Sequence, residues 1–196
     1  MGLIFKLMRN IFLIAILMIS LSCKSQELPL NSNPFESPQN SYLKDINNEL
    51  NPYVGTYKAS FNGKQITLYI TKETKKYFDR ISYKIYKDVL SVRYTVQNSS
   101  GQILQSTQNQ NFQPNQIENT IYSSQTNPEN GSIAFIYGGT NCSVGNGGIT
   151  LKKLNSTQLS WSYYPNDMVF VGNQCPSNLD ITIYLPETEN LVFTKQ

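Results

Sequence analysis

From Tyr53 onward, apolar side chains recur at every second position in short runs, and Gly, Asn, Pro or Ser separates most of those runs. Residues 54–61 read as a strand, Asn62-Gly63 is a strong hairpin signal, and residues 65–71 return as the partner strand. The same period marks 81–86, 89–96, 103–107, 117–124, 132–137, 149–154, 159–163, 168–171, 180–185 and 191–194. In Ile81-Ser82-Tyr83-Lys84-Ile85-Tyr86 and Leu90-Ser91-Val92-Arg93-Tyr94-Thr95-Val96 the alternation implies one face turned inward and one left wet. Short strands at this spacing, without a second helical pattern, predict an all-β closed barrel or sandwich.

Ahead of Tyr53 the period differs. Leu43, Ile46 and Leu50 stand at i, i+3 and i+7, Asn40 or Ser41 offers a cap, and Pro52 follows. That spacing predicts one short amphipathic helix over residues 42–50. Residues 25–41 carry Pro29, Pro34 and Pro38 among polar side chains with no periodicity, the composition of a flexible tether.

The first residues have a separate logic. Lys6 and Arg9 precede an almost wholly apolar stretch over 11–21, which is the anatomy of a secretory signal. A spanning helix needs about 20 apolar residues, so this stretch is short for an anchor. Ser22-Cys23 then fits lipoprotein processing, with Cys23 as the lipidated first residue of the mature chain. Ser20 stands where such signals usually carry Leu, and ordinary signal cleavage giving a soluble secreted protein is the alternative. The organisation expected is a lipoprotein signal peptide over 1–22, a tether over 23–41 and one barrel domain over 42–196. Lys24 follows the cysteine and no aspartate does, which favours lipid anchoring at the outer membrane, on its periplasmic or cell-surface face.

Cysteine count agrees with export. Lipidation of Cys23 leaves Cys142 and Cys175 as an even pair for an oxidising compartment. A bridge between them closes a loop of roughly 33 residues, to which chain entropy assigns about 3.7 kcal/mol.

Charge adds little at the level of the whole chain. With Lys6 and Arg9 removed, 14 basic side chains face 13 acidic ones, which gives no support for nucleic-acid binding. Locally, residues 58–93 hold nine basic and three acidic side chains, so one face offers itself to anions or to an acidic partner.

The residues then form a recognisable set. Ser22-Cys23-Lys24, Tyr42-Leu43-Lys44-Asp45, Asn47-Asn48-Glu49-Leu50, Tyr53-Val54-Gly55-Thr56-Tyr57 and Asn62-Gly63-Lys64 resemble a family of short uncharacterised lipoproteins of Gram-negative bacteria. Asn155-Ser156-Thr157-Gln158-Leu159-Ser160-Trp161 and Val192-Phe193-Thr194-Lys195 extend the likeness over most of the mature chain. The family usually has Trp where Tyr57 stands here. The resemblance implies a lipocalin-like (calycin-type) antiparallel β-barrel preceded by one short helix, and it brings no activity with it.

Candidate chemistry is sparse. The chain has no histidine, which removes the commonest general base and most catalytic zinc sites. Glu73, Asp79, Asp88, Glu118, Asp167 and Asp180 are available carboxylates, but no spacing brings a pair together as a glycosidase requires. The Gly-rich stretch 138–148 leads into a strand rather than a helix, which argues for a loop and against a phosphate cradle. No catalytic residue, metal site or cofactor is expected.

Aromatic side chains remain. Tyr57 and Trp161 read as core, whereas Tyr69, Tyr83, Tyr94 and Tyr163 are candidate ligand contacts if the barrel is open. The expectation is a monomeric, non-catalytic outer-membrane lipoprotein holding a small apolar or lipid-like ligand inside its barrel. The alternative is a protein-interaction module (an inhibitor, an immunity-type protein or an envelope assembly factor) that uses its outer surface.

Overall fold

The computed structural model describes residues 26–113, 115–167 and 175–196. Cys23, the leader and the strand expected over 168–171 lie outside the described residues. Among those described, eleven strands form one sheet: β1 (Glu27–Pro29), β2 (Tyr42–Lys44), β3 (Gly55–Phe61), β4 (Lys64–Asp79), β5 (Lys84–Gln97), β6 (Ile103–Ser106), β7 (Ile121–Asn127), β8 (Ser132–Tyr137), β9 (Gly147–Lys153), β10 (Gln158–Pro165) and β11 (Leu191–Lys195). Eight of them close an antiparallel barrel in the order β5-β4-β3-β11-β10-β9-β8-β7, and β7 returns to β5 where Tyr122 faces Ser91. β2 runs parallel to β5 at its first residues, β1 lies outside β2, and β6 pairs with the far end of β5.

The period-2 runs explain the barrel. Asn62 and Gly63 take φ of 48° and 72°, the left-handed pair that a two-residue hairpin turn demands, and they set Phe61 opposite Lys64. Every second side chain then points inward: Tyr57 and Ala59, Ile66, Leu68 and Ile70, Leu90, Val92, Tyr94 and Val96 on the first three barrel strands. Phe135, Tyr137, Leu151, Trp161, Tyr163 and Phe193 complete the interior from the other side. Trp161, Tyr57, Tyr94, Tyr137, Tyr163, Phe135 and Phe193 are each at most 2% exposed, so side chains fill the barrel.

Several boundaries depart from the sequence reading, each for a physical reason. Residues 42–50 are not a helix. Tyr42–Lys44 form β2, a turn follows, and a single 3₁₀ turn covers Asn51–Tyr53. The apolar triplet does not share a face: Leu43 and Leu50 are fully buried, while Ile46 is 63% exposed. The carboxylate of Asp45 takes the amides of Glu49 and Leu50 at 2.7 and 3.2 Å, which fixes that turn in place of helical hydrogen bonds.

The expected tether is ordered from Gln26 onward. Glu27–Pro29 join the sheet, Leu30 enters the core, and Asn31 is bound to β7. Residues 84–86 of the run 81–86 join 89–96 in one strand, because Lys87 and Asp88 are buried within it and need not break out to solvent, whereas 81–83 belong to the turn ahead of it. β4 likewise continues past Thr71 through the charged residues Lys72 to Lys76, with a bulge at Glu73–Lys76 where Lys75 takes φ of 53°. Residues 180–185 form no strand. Asp180 folds them locally by accepting the Thr182 amide and the Tyr184 hydroxyl. The expected bridge is present: Cys142 and Cys175 are disulfide-bonded across a separation of 33 residues.

Candidate functional site

β4 and β5 outrun the barrel. Past the β4 bulge they pair as a two-stranded arm, with Lys76 opposite Lys87 and Phe78 opposite Ile85, and the tight turn at Ile81-Ser82 closes its tip. The arm is rooted in a buried polar knot. Asp88 accepts the Tyr42 hydroxyl at 2.6 Å, the Lys75 amide at 2.9 Å and the Asp45 amide at 3.0 Å. Asp45, with no exposed side-chain surface, is paired to Lys72 at 2.7 Å. Burial alone raises the Asp88 pKa, but those three hydrogen bonds and the nearby Lys72 charge together hold its carboxyl below the usual aspartate value. Two carboxylates therefore do converge, but in a saturated knot that joins β2, β4 and β5 rather than across an open cleft.

From this root the arm leans over the outer face of β7. Phe78 meets Tyr122 edge to face at 6.0 Å, and the Lys76 ammonium sits 4.4 Å from the centre of the same ring. The N-terminal segment forms the opposite wall. Asn31 is tied to Thr126 of β7 by bonds of 2.7 and 3.0 Å, Thr126 also donates to Glu49, and Phe35 meets Tyr83 edge to face at 5.2 Å.

Between these walls lies a cleft of about 580 Å³, of the size that small-molecule sites take. Phe35, Phe78, Tyr83, Ile85, Tyr122 and Ile136 supply its apolar surface. Lys87 and Arg80 are its two charged lining residues, and no carboxylate is among the lining side chains.

Lys87 is the unusual group. It is only 8% exposed, and its ammonium donates to the Ser124 carbonyl at 2.6 Å. Among the described residues no carboxylate lies within ion-pairing distance of it, and burial pushes its pKa down to about 8. The other lysines of the arm are neutralised: Lys76 by Glu73 at 2.9 Å and Lys84 by Asp79 at 3.3 Å. With Lys72 on Asp45, three of the nine cations counted over 58–93 are thus paired to carboxylates.

The four tyrosines proposed from sequence are separated. Tyr94 and Tyr163 are core residues, 0% and 1% exposed. The Tyr94 hydroxyl donates to Gln105 at 3.0 Å and meets that of Tyr137 at 3.3 Å, while the Tyr163 hydroxyl donates to the Gly145 carbonyl. Burial pushes the Tyr94 pKa up to about 12 and raises that of Tyr163 too, so both stay neutral donors. Tyr69 falls between the inward residues Leu68 and Ile70 and faces outward beside Arg93, whose guanidinium stacks 3.6 Å over Phe112. Tyr83 alone reaches the cleft.

Sequence reasoning missed Lys87 and Asp45. The signal for Lys87 is present in the sequence: Ile85, Lys87 and Val89 continue one alternating face across the charged pair Lys87-Asp88 that separates the runs 81–86 and 89–96.

Among curated proteins and among solved structures, nothing matches this chain. A family model does match, from residue 8 to residue 196, and that span takes in the barrel, the arm and every residue of the cleft. The chain therefore belongs to the family of unknown function DUF6705.

Proposed function

We propose that this protein is a non-catalytic, monomeric binding module of the bacterial envelope, lipid-anchored through Cys23 at the outer membrane, with a barrel of lipocalin-like type. Its ligand is a small apolar or lipid-like molecule. The interior expected to hold that ligand is filled by Trp161, Tyr57, Tyr94 and their neighbours, so the site moves to the outer cleft beneath the β4–β5 arm. One observation carries the reading: a cleft of about 580 Å³ walled by aromatic and aliphatic side chains and held open between two fastened elements. The polar knot at Asp88 roots one wall and the Asn31–Thr126 bonds tie the other. Against catalysis stand the lack of histidine and the saturation of the Asp45–Asp88 pair.

The test is native mass spectrometry of the full-length protein purified from its host, with organic extraction of whatever co-purifies. Wild type carries a bound amphiphile, and Ser124→Trp, which puts an indole into the cleft, does not. Equal ligand content in the two proteins, or none in either, overturns the assignment. The same spectra weigh the N-terminal peptide, and a Cys23 without acyl mass removes the anchor.

A further inference from the structure

We infer that the cleft takes a single-chain amphiphile with a carboxylate head group, bound by the ammonium of Lys87. The inference rests on the binding reading above and names the ligand class.

A protonated amine that is 8% exposed demands compensation, because removing a charge from water is costly unless an opposite charge or several hydrogen bonds replace the solvent. Lys72, one strand away, shows what compensation looks like here: a carboxylate at 2.7 Å. Lys87 has one carbonyl, that of Ser124, which leaves two of its three N–H donors for another acceptor. The lining offers no acid to meet them, and it adds a second cation, half-buried Arg80. The cleft is thus electrostatically complementary to an anion that the chain does not contain.

The remaining wall settles the rest of the ligand. Phe35, Phe78, Ile85, Tyr122 and Ile136 offer rings and branched carbons suited to an alkyl chain. A carboxylate presents two acceptor oxygens for the two unused Lys87 donors and a single negative charge for its single positive one. The burial-lowered pKa of Lys87 agrees with a site that lacks its counter-ion. Nothing covalent is involved: the amine stays an amine, and binding is an ion pair plus burial of the chain.

The experiment uses the full-length protein in phosphatidylcholine nanodiscs and two photoreactive probes, dodecanoic acid and dodecanol, each with a diazirine on the chain. Adducts are mapped by peptide mass spectrometry, and the half-maximal labelling concentration is read at Tyr122 and Phe78. The acid labels the cleft at a concentration roughly tenfold or more below that of the alcohol, the size expected of a charge-assisted hydrogen bond. In Lys87→Met the two probes become equivalent. Equal labelling by acid and alcohol in the wild type overturns the carboxylate assignment and leaves the cleft as an apolar site. A preference for the acid that survives in Lys87→Met removes Lys87 as the anchor. Failure of both probes to label the cleft overturns the binding reading itself. The wild-type comparison requires no variant to fold, and circular dichroism reports whether Lys87→Met keeps its barrel.

Discussion

The two halves of β5 put similar residues to opposite uses. From Leu90 onward its inward face packs into the closed barrel, where Val92, Tyr94 and Val96 belong to the buried core and Tyr94 meets Tyr137 edge to face. From Lys84 to Val89 the strand has left that interior, and Ile85 and Lys87 instead wall a cleft against β7. Both halves bury polar atoms. In the barrel each buried tyrosine hydroxyl discussed above has a partner, as at Tyr94 and Tyr163. In the cleft Lys87 is left with one carbonyl and no counter-charge. The difference separates the inward tyrosine hydroxyls, whose polarity the fold consumes, from the Lys87 ammonium, which keeps donors to spare.

The sharpest way to break this comparison is by stability. Trp161→Ala empties a site that is 0% exposed and also removes the indole bond to the Pro186 carbonyl, so it costs about 3–5 kcal/mol. Ile136→Ala, at the cleft wall and 64% exposed, costs about 0.5 kcal/mol. Urea unfolding of both proteins checks the pair, and comparable losses would mean that the cleft wall is structural core.

Lys72 and Lys87 differ next. Lys72→Met strands Asp45, whose side chain has no exposed surface, and costs about 2–3 kcal/mol; Lys72 keeps some contact with water, which holds the loss below that of a fully buried pair. Lys87→Met has the opposite sign, since it removes an uncompensated charge. The folded-state pKa of Lys87 is about 8 against an ordinary value of 10.5, so between those values the unfolded chain holds the extra proton and wild-type stability rises with pH. The stabilisation from Lys87→Met is therefore full below pH 8, on the order of 3 kcal/mol, and fades as pH climbs toward 10.5. Arg80, Tyr83 and Tyr122, which line the same cleft, and Lys76, which sits over the Tyr122 ring, are common to both proteins, so the difference curve isolates Lys87. A variant less stable than wild type at pH 7 would show that the ammonium is already compensated.

Asp88 gives the acid limb. Its folded-state pKa is depressed, so its contribution is complete above the unfolded value of about 3.9 and is lost as pH falls through the folded one. Asp88→Asn costs about 1–3 kcal/mol near neutrality, and the gap to wild type narrows in acid. Parallel pH profiles for the two proteins would dissociate Asp88 from the acid transition.

What could be read in advance follows from which forces act locally. Period-2 alternation and Asn62-Gly63 reveal the barrel strands because both are consequences of a strand's own geometry and its turn. Cys142–Cys175 follows from the cysteine count once Cys23 is set aside as the expected lipidation site, which leaves one even pair. The cleft was not legible, since it arises where β4 and β5 outrun their barrel partners, and strand length here is set by a distant knot. Lys72 and the residues after it look like the end of a strand until Asp88 takes the Lys75 amide and Lys72 finds Asp45. The false helix at 42–50 has the same origin: three apolar positions fit a helical face, while an Asp45 side chain bonded to two amides selects a turn. Spacing reports which faces are apolar, not which buried charges will meet.

The smallest effects bear on the tyrosines, which aromatic content alone could not sort. Tyr94→Phe deletes a hydroxyl bonded to Gln105 and Tyr137 and costs about 1 kcal/mol of stability with cleft labelling unchanged. Tyr83→Ala does the reverse. It sacrifices an edge-to-face contact with Phe35 that helps hold the N-terminal wall against the arm, and probe binding weakens roughly two- to tenfold. Tyr69→Phe lies on the outer face beside Arg93, away from both, and shifts stability by less than about 0.5 kcal/mol with no change in labelling. Measured side by side, the three substitutions ask whether stability and binding reside in different tyrosines. A Tyr94→Phe protein that loses cleft labelling while Tyr83→Ala keeps it would return the ligand to the barrel interior.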